Sequence, residues 1–355
     1  MSTINQEKEF SIEKQFLAAD LEDSLIIEEQ TKLDNFKPKI VWRNVFLFTI
    51  LHLAALQGFW HFLFKANWLT FIWTIFLWIF SGMGITAGAH RLWAHRVNLK
   101  RKFNLISLFF FLLKKSYKAR FPLRILLMVL NCIAFQNDII EWARDHRCHH
   151  KWSDTNADPH NVNRGLFFAH MGWLLVKKHP QVKAKGAGLD LSDLFDDPVL
   201  RFQRKYYLLL VFIFCFLMPT VIPVYFWGEK PLTAFLTGAA FRYCFALHAT
   251  WLINSVAHKF GYRPYDVNIS PAESVWTTIL AVGEGGHNYH HTFPQDYRTS
   301  EMMTPFNLTK AFIDFFAIIG QAYERKVTPI SNIYRQMGRQ LEQLHKRVMD
   351  SHKSF

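Results

Sequence analysis

The sequence predicts an all-α integral membrane protein: four transmembrane helices, arranged as two hairpins, under a cytosolic helical cap that holds a histidine-rich dinuclear metal site. Three observations carry that expectation. Half of the 355 residues are hydrophobic and 16% are aromatic, and they are gathered into long runs. The runs fall in two pairs, each joined by only a few polar residues, so each pair returns the chain to its starting side. The spacing i, i+3, i+4 occurs twice in histidine, at His146, His149, His150 and at His287, His290, His291, which sets three imidazoles on one helical face.

Residues 1–38 read as a polar, acidic-leaning cytosolic tail without the apolar segment of a cleavable signal peptide. The membrane region occupies 39–330, and 331–355 is a cytosolic C-terminal tail. The first span covers about 40–64, with Arg43 near its start and His52 inside it. Lys65-Ala66-Asn67 separates it from the second, 68–89. Each approaches the roughly 20 residues needed to cross a bilayer. Trp60, Trp68 and Trp73 fall near the turn, where interfacial aromatics are expected. The third span, 206–227, is broken by Pro219 and Pro223, and only Gly228-Glu229-Lys230 precedes the fourth, 231–253. Between the hairpins, about 96–205 reads as a polar region of loops and helices.

Two hairpins leave the N-terminus, every histidine cluster and the C-terminal region on one face. The formal charge is +13, and nearly all the Lys and Arg lie on that face rather than in the two turns, which assigns it to the cytosol. The charge fits anionic lipid or an acidic ligand; no nucleic-acid-binding module or basic-aromatic groove is present. Cys132, Cys148, Cys215 and Cys244 form no CxxC pair and read as reduced thiols.

Metal coordination is the economical account of the two histidine clusters. Six imidazoles packed without a metal would repel one another if protonated and lack partners if buried. His90, His95 and His258 raise the set to nine, and Asn254 stands one helical turn before His258. Nine imidazoles suit two adjacent ions of iron, zinc or copper. Glu141, Asp145, Asp154, Asp158 and Glu284 read as carboxylates that fix imidazole tautomers. His90 and His95 are i, i+5, about 140° apart on an α-helix; either the helix unwinds between them or they serve different ions, and a dinuclear site favours the second. A membrane-embedded site of this kind implies an apolar substrate and redox chemistry on an unactivated C–H bond.

Gly88-Ala89-His90-Arg91-Leu92-Trp93-Ala94-His95-Arg96, the stretch Glu141–His150, Asn254-Ser255-Val256-Ala257-His258 and Gly283–His291 resemble the motifs of the animal acyl-CoA desaturases of the stearoyl-CoA type, with an insect-type member in view. The resemblance covers about residues 38 to 330. It implies a di-iron centre, endoplasmic reticulum residence with both termini cytosolic, and insertion of a cis double bond into a fatty acyl-CoA using O2. Electrons would come from cytochrome b5 and its NADH-dependent reductase. By matching, the iron ligands would be His90, His95, His146, His149, His150, His258, His287, His290 and His291, with Asn254 reaching one iron through water. Gln136, Trp142 and Thr250 would lie where the acyl tunnel bends. Arg144, Asp145, Lys177 and Lys178 would meet the CoA head group, whose negative charge a basic rim attracts. Trp78, twelve residues before His90, would close the far end of the tunnel and limit chain length. Ser270-Pro271-Ala272-Glu273 falls where insect relatives vary with double-bond position, and Glu273 points to Δ9; Δ11 or another position is the alternative.

One departure stands out. In the family the first motif runs almost directly into a segment like Ser116-Tyr117-Lys118-Ala119, but here Val97–Lys115 intervenes. Its apolar run is too short to span a membrane. It is either a genuine insertion or a translated intron, and it makes a catalytically impaired isoform a second alternative. A membrane hydroxylase, and a silent scaffold, are the rivals outside the desaturase reading.

Overall fold

Apolar runs become helices wherever their backbone polar groups have no other partner in lipid. A computed structural model of the chain describes residues 37–95, 116–301 and 306–353; most of the N-terminal tail and the whole of Val97–Lys115 lie outside them. The first hairpin is α1 (Trp42–Phe64) and α2 (Trp68–Ala94), with the Asn67 side chain accepting the Leu69 N–H at the start of α2. Among the described residues, these and Tyr207–Trp227 are the three single helices long and apolar enough to cross a membrane.

Between them, α3 (Phe121–Ala134) and α4 (Ile139–Lys151) form a pair bent by 82°. Left-handed backbone at Phe135 and Asn137 makes the corner. An apolar helix was not expected in this polar region. It exists because α3 packs against the end of α2, so closely that a Cβ on Gly84 would meet the Leu130 and Asn131 backbone at 2.3 Å.

Tyr207–Trp227 is α5, continuous where two prolines suggested a break. A π-helical stretch, Phe212–Leu217, directly precedes Pro219, and Pro223 sits inside the helix. The fourth expected span is also one helix, α6 (231–259), built from Pro231–Ala234, Phe235–Phe241 and Arg242–Lys259. It is less apolar than the others because protein, not lipid, surrounds it. Buried Arg242 donates to Gly238 O, Ile133 O and Cys215 O, and Gly58 of α1 approaches until a Cβ there would lie 2.1 Å from Leu236 O.

The two hairpin turns meet. The Glu229 carboxylate accepts the Asn67 N–H at 2.8 Å and the Thr70 hydroxyl at 2.6 Å. Both turns therefore lie at one end of the bundle, and the ends of α2 and α6 that carry histidines lie at the other, as the span count requires. There β1 (Lys118–Ala119) pairs antiparallel with β2 (Ala322–Tyr323), Lys118 opposite Tyr323. Tyr117, just after the undescribed segment, is buried and donates to Ala87 O. The cap helices after α6 include α7 (His287–Thr292), α8 (Leu308–Ile318) and α9 (Ile330–Lys353). The stretch read as the C-terminal tail, 331–355, falls largely in α9, whose Ile333 is buried against Tyr265 and Tyr289.

Candidate metal centre

Nine histidines converge in two groups. Ligating atoms of His90, His95, His146, His150 and His290 lie within 4.8 Å of one another, and so do those of His149, His258, His287 and His291. The repeated spacing explains the division. In each HxxHH, the i and i+4 histidines share a group and the i+3 histidine, pointing to the side, joins the other. His146 and His150 belong with the five while His149 crosses to the four; His287 and His291 belong with the four while His290 crosses to the five. α4 and α7 thus contribute to both groups in opposite sense, which ties the groups together.

His90 and His95 sit in the same group, against the expectation that they serve different ions. The end of α2, Gly84–Ala94, is π-helical, and the His95 N–H bonds His90 O. A helix with i→i+5 bonds stacks residue i near i+5, and the two ring centres are 4.7 Å apart.

These donors fit metal ions. Nε2 faces Nε2 between His90 and His290 at 2.9 Å, His290 and His150 at 2.9 Å, His95 and His146 at 3.0 Å, and His258 and His287 at 2.9 Å. Imidazole nitrogens brought this close in pairs are placed so that one cation between them could bind both. His291 Nε2 is buried without a hydrogen-bond partner among the described residues. Burial, then neighbouring histidines, hold His95, His146, His150, His287, His290 and His291 well below the ordinary imidazole pKa, so their lone pairs are free.

Carboxylates set the tautomers behind three of these rings. Glu284 accepts from His90 Nδ1 at 3.0 Å, Asp158 from His149 Nδ1 at 2.8 Å, and Asp154 lies 3.3 Å from His258 Nδ1. Burial raises Glu284, but Arg91 and His90 overcome it and hold the carboxyl at about 2. Glu141 and Asp145, expected in the same role, touch no imidazole. Arg144 and Lys178 claim them instead: Arg144 reaches Glu141 at 3.1 Å and Asp145 at 2.8 Å, and Lys178 also bonds Asp145. Cys148 turns away from both groups and bonds Ala157 O.

Two cavities open beside the histidines. The first runs from Trp78, past Ile85, Ala134, Ala246 and Leu280, to His90, His146, His149 and His287. The second extends towards Arg43, Asn44, Asp145, His160 and Trp173. Gln136, Trp142, His146, Thr250 and Asn254 line both, and Gln136 donates to Thr250 Oγ1 at 2.9 Å. Gln136, Trp142 and Thr250 therefore lie where the two cavities meet, and Trp78 lines the first alone, its ring meeting Phe245 edge-on at 5.2 Å. Asp145 lines the second cavity, close to Arg144 and Lys178. Lys177 and Lys178 are exposed, and the Lys177 N–H bonds Lys39 O. The stretch Ser270–Glu273 is not among the cavity linings. It braces the histidines: Ser270 bonds both Asp154 and His258, and Glu273 accepts the Tyr289 N–H within α7.

Sequence reasoning missed the buried arginines. Arg91 pairs with Glu284 and donates to Tyr297 O. Arg147 grips Ala94 O, Trp93 O and Asp193, fixing the end of α2 beside His95. Their position inside otherwise metal-binding motifs was the available signal, since a solvating charge has no cause to sit among ligands.

A bundle of long apolar helices with nine clustered imidazoles, six buried and three partly buried, beside an apolar cavity defines a membrane protein with a histidine-rich site able to hold metal. The fatty acid desaturase family profile matches residues 66–312, and the chain belongs to that family. Its relatives include a Delta(9)-fatty-acid desaturase of Caenorhabditis elegans, 57% identical over 331 residues, which are 93% of this chain and 92% of the relative. An acyl-CoA Delta-9 desaturase of Acheta domesticus is 52% identical over 88% of this chain and 82% of its own length. Human stearoyl-CoA desaturase is 49% identical over 86% and 80%.

Proposed function

We propose that this chain is a fatty acyl-CoA desaturase that inserts a cis double bond at Δ9 of a saturated acyl chain. The observation that carries the reading is the apolar cavity that begins at Trp78 and ends on His90, His146, His149 and His287 of both histidine groups. A linear hydrocarbon is the substrate such a cavity fits, and the relatives named above support the position of the bond.

The nine histidines would hold two iron ions, with Asn254 completing one through water; bound iron with O2 supplies the oxidising power that an unactivated C–H bond demands. The protein's own part is positional. Glu284, Asp158 and Asp154 keep protons on Nδ1 of His90, His149 and His258, so Nε2 stays free to bind. The Gln136–Thr250 hydrogen bond and Trp142 shape the bend where the acyl chain passes the histidines. The apolar walls exclude water and hold the chain in one conformation, which restricts oxidation to one pair of carbons. Arg144, Lys177 and Lys178 form the cationic rim for the CoA phosphates, with Asp145 anchoring Arg144 and Lys178 in place. Cytochrome b5 and its NADH-dependent reductase would deliver electrons to the cytosolic face, in an endoplasmic reticulum membrane with both termini cytosolic.

Expression in a desaturase-deficient yeast, with double bonds mapped in the lipids, tests this. Δ9 products are expected. Iron-loaded protein that yields no unsaturated lipid refutes the activity, and a hydroxylated product would place the chain in another reaction class.

A further inference from the structure

A third histidine cluster lies inside the spans, apart from the two groups above. His52 of α1 stands against Cys244 and His248 of α6, and one ligating atom from each lies within 4.8 Å of the others. Cys244 and His248 are i, i+4 and share a face of α6. Cys244 is buried and free of any disulfide. Ionisable groups at such a depth are costly and persist when they do something.

We infer that His52, Cys244 and His248 bind one d10 cation of the zinc(II) class, at a site separate from the desaturation centre. The geometry repeats what is seen there. His52 Nε2 faces His248 Nε2 at 3.0 Å, the same close Nε2-to-Nε2 approach found four times among the histidines of the two groups. The far nitrogens are already held. His52 Nδ1 donates to Phe48 O at 2.6 Å, and His248 Nδ1 meets His170 Nε2 at 2.9 Å. A ring whose outer N–H is fixed by a carbonyl or a second polar group presents its other nitrogen as a ligand. A thiolate with two imidazoles is a borderline-to-soft donor set, which selects zinc or copper over the harder cations.

The protons balance. Without metal, Ser255 donates to His170 Nδ1, His170 Nε2 to His248 Nδ1, His248 Nε2 to His52 Nε2, and His52 Nδ1 to Phe48 O. With metal, His248 and His170 each carry their proton on Nδ1, so His248 donates to His170 Nε2 and His170 to Ser255 Oγ. The Ser255 hydroxyl turns to Trp251 O, 2.8 Å away. Only the thiol proton of Cys244 leaves to solvent, as metal binding requires. Ser255 thus has a partner in both states, and the chain of rings needs no buried charge in either.

The test uses the full chain, purified in detergent and iron-loaded, then titrated with Zn2+ and measured for both metals. Wild type is expected to take up one zinc per chain beyond what its iron sites hold, and Cys244→Ser and His248→Asn each to weaken that uptake at least tenfold at unchanged iron content. Alkylation of Cys244, followed by peptide mass, should be suppressed by Zn2+ in wild type, a readout that stands if a variant folds poorly. Zinc uptake equal in wild type and both variants, or alkylation of Cys244 indifferent to Zn2+, overturns the site and leaves a hydrogen-bonded row of imidazoles.

Discussion

Trp78 offers the sharpest handle on the acyl cavity. It lines the first cavity and is backed by Phe245, and in the proposed reading its indole closes the end opposite the histidines. Trp78→Ala replaces the indole with a methyl group and lengthens the apolar channel. Each methylene a substrate buries there contributes about 0.8 kcal/mol, so an acyl chain two carbons longer gains ~1.6 kcal/mol. At about 1.4 kcal/mol per tenfold, the ratio of kcat/KM for the longer over the shorter acyl-CoA should rise roughly fifteenfold. The assay is competition in microsomes between saturated acyl-CoAs differing by two carbons, with products separated by chain length and iron content checked alongside. The double bond should stay at the same carbon counted from the thioester, because the junction at Gln136, Trp142 and Thr250 is untouched. An unchanged ratio in an iron-loaded, active variant would refute the placing of the chain end at Trp78.

Three further outcomes follow from the site. Glu284→Gln replaces the carboxylate that accepts from His90 Nδ1 with a weaker, neutral acceptor and removes the counter-charge of buried Arg91, so iron affinity should fall about 10–100-fold, read by metal content at limiting iron; undiminished loading would show that the Glu284 charge does not support His90. Burial raises the Glu273 carboxyl from 4.5 to about 7. A raised acid costs folding stability most above pH 7 and not at all below 4.5, so Glu273→Gln should stabilise by up to roughly 3 kcal/mol at pH 8. Its thermal advantage over wild type should shrink as the pH is lowered, and a pH-independent difference counts against this. Finally, His95 and Ser116, the nearest described residues on either side of Val97–Lys115, are both buried. Full-length protein and a form lacking 97–115 should therefore make the same unsaturated product in yeast, and product from the shortened form alone would contradict this; transcript sequencing separates a retained intron from a coded insertion.

Much of this was legible in the sequence because the constraints were strong. Long apolar runs have few alternatives in lipid, and the pairing of hairpins followed from counting crossings, which the contact of Glu229 with Asn67 and Thr70 bears out. The convergence of the nine histidines was legible from spacing. What the spacing hid was the local helix type. His90 and His95 look divergent on an α-helix and converge only because the end of α2 is π-helical, a choice made by its packing against α3. Likewise α3 itself was invisible, since Phe121–Ala134 is too short for a span and lies in a region read as polar. Glu141 and Asp145 illustrate a different limit: proximity to ligands in sequence gave them the same standing as Asp158, but Arg144 and Lys178 compete for them through contacts that only the folded chain brings together.

The buried carboxylate at the meeting of the hairpin turns has a consequence for how the protein is made. Glu229 follows Asn67 in the chain by 162 residues. At about 5–20 residues per second, roughly 8 to 30 seconds separate the synthesis of one partner from the other. The first hairpin must therefore wait in the bilayer with its turn unpartnered while the whole histidine-bearing middle of the chain is translated. Bundle closure is thus a late event in biogenesis, and a nascent chain arrested before residue 229 should be a target for membrane quality control rather than a half-built enzyme.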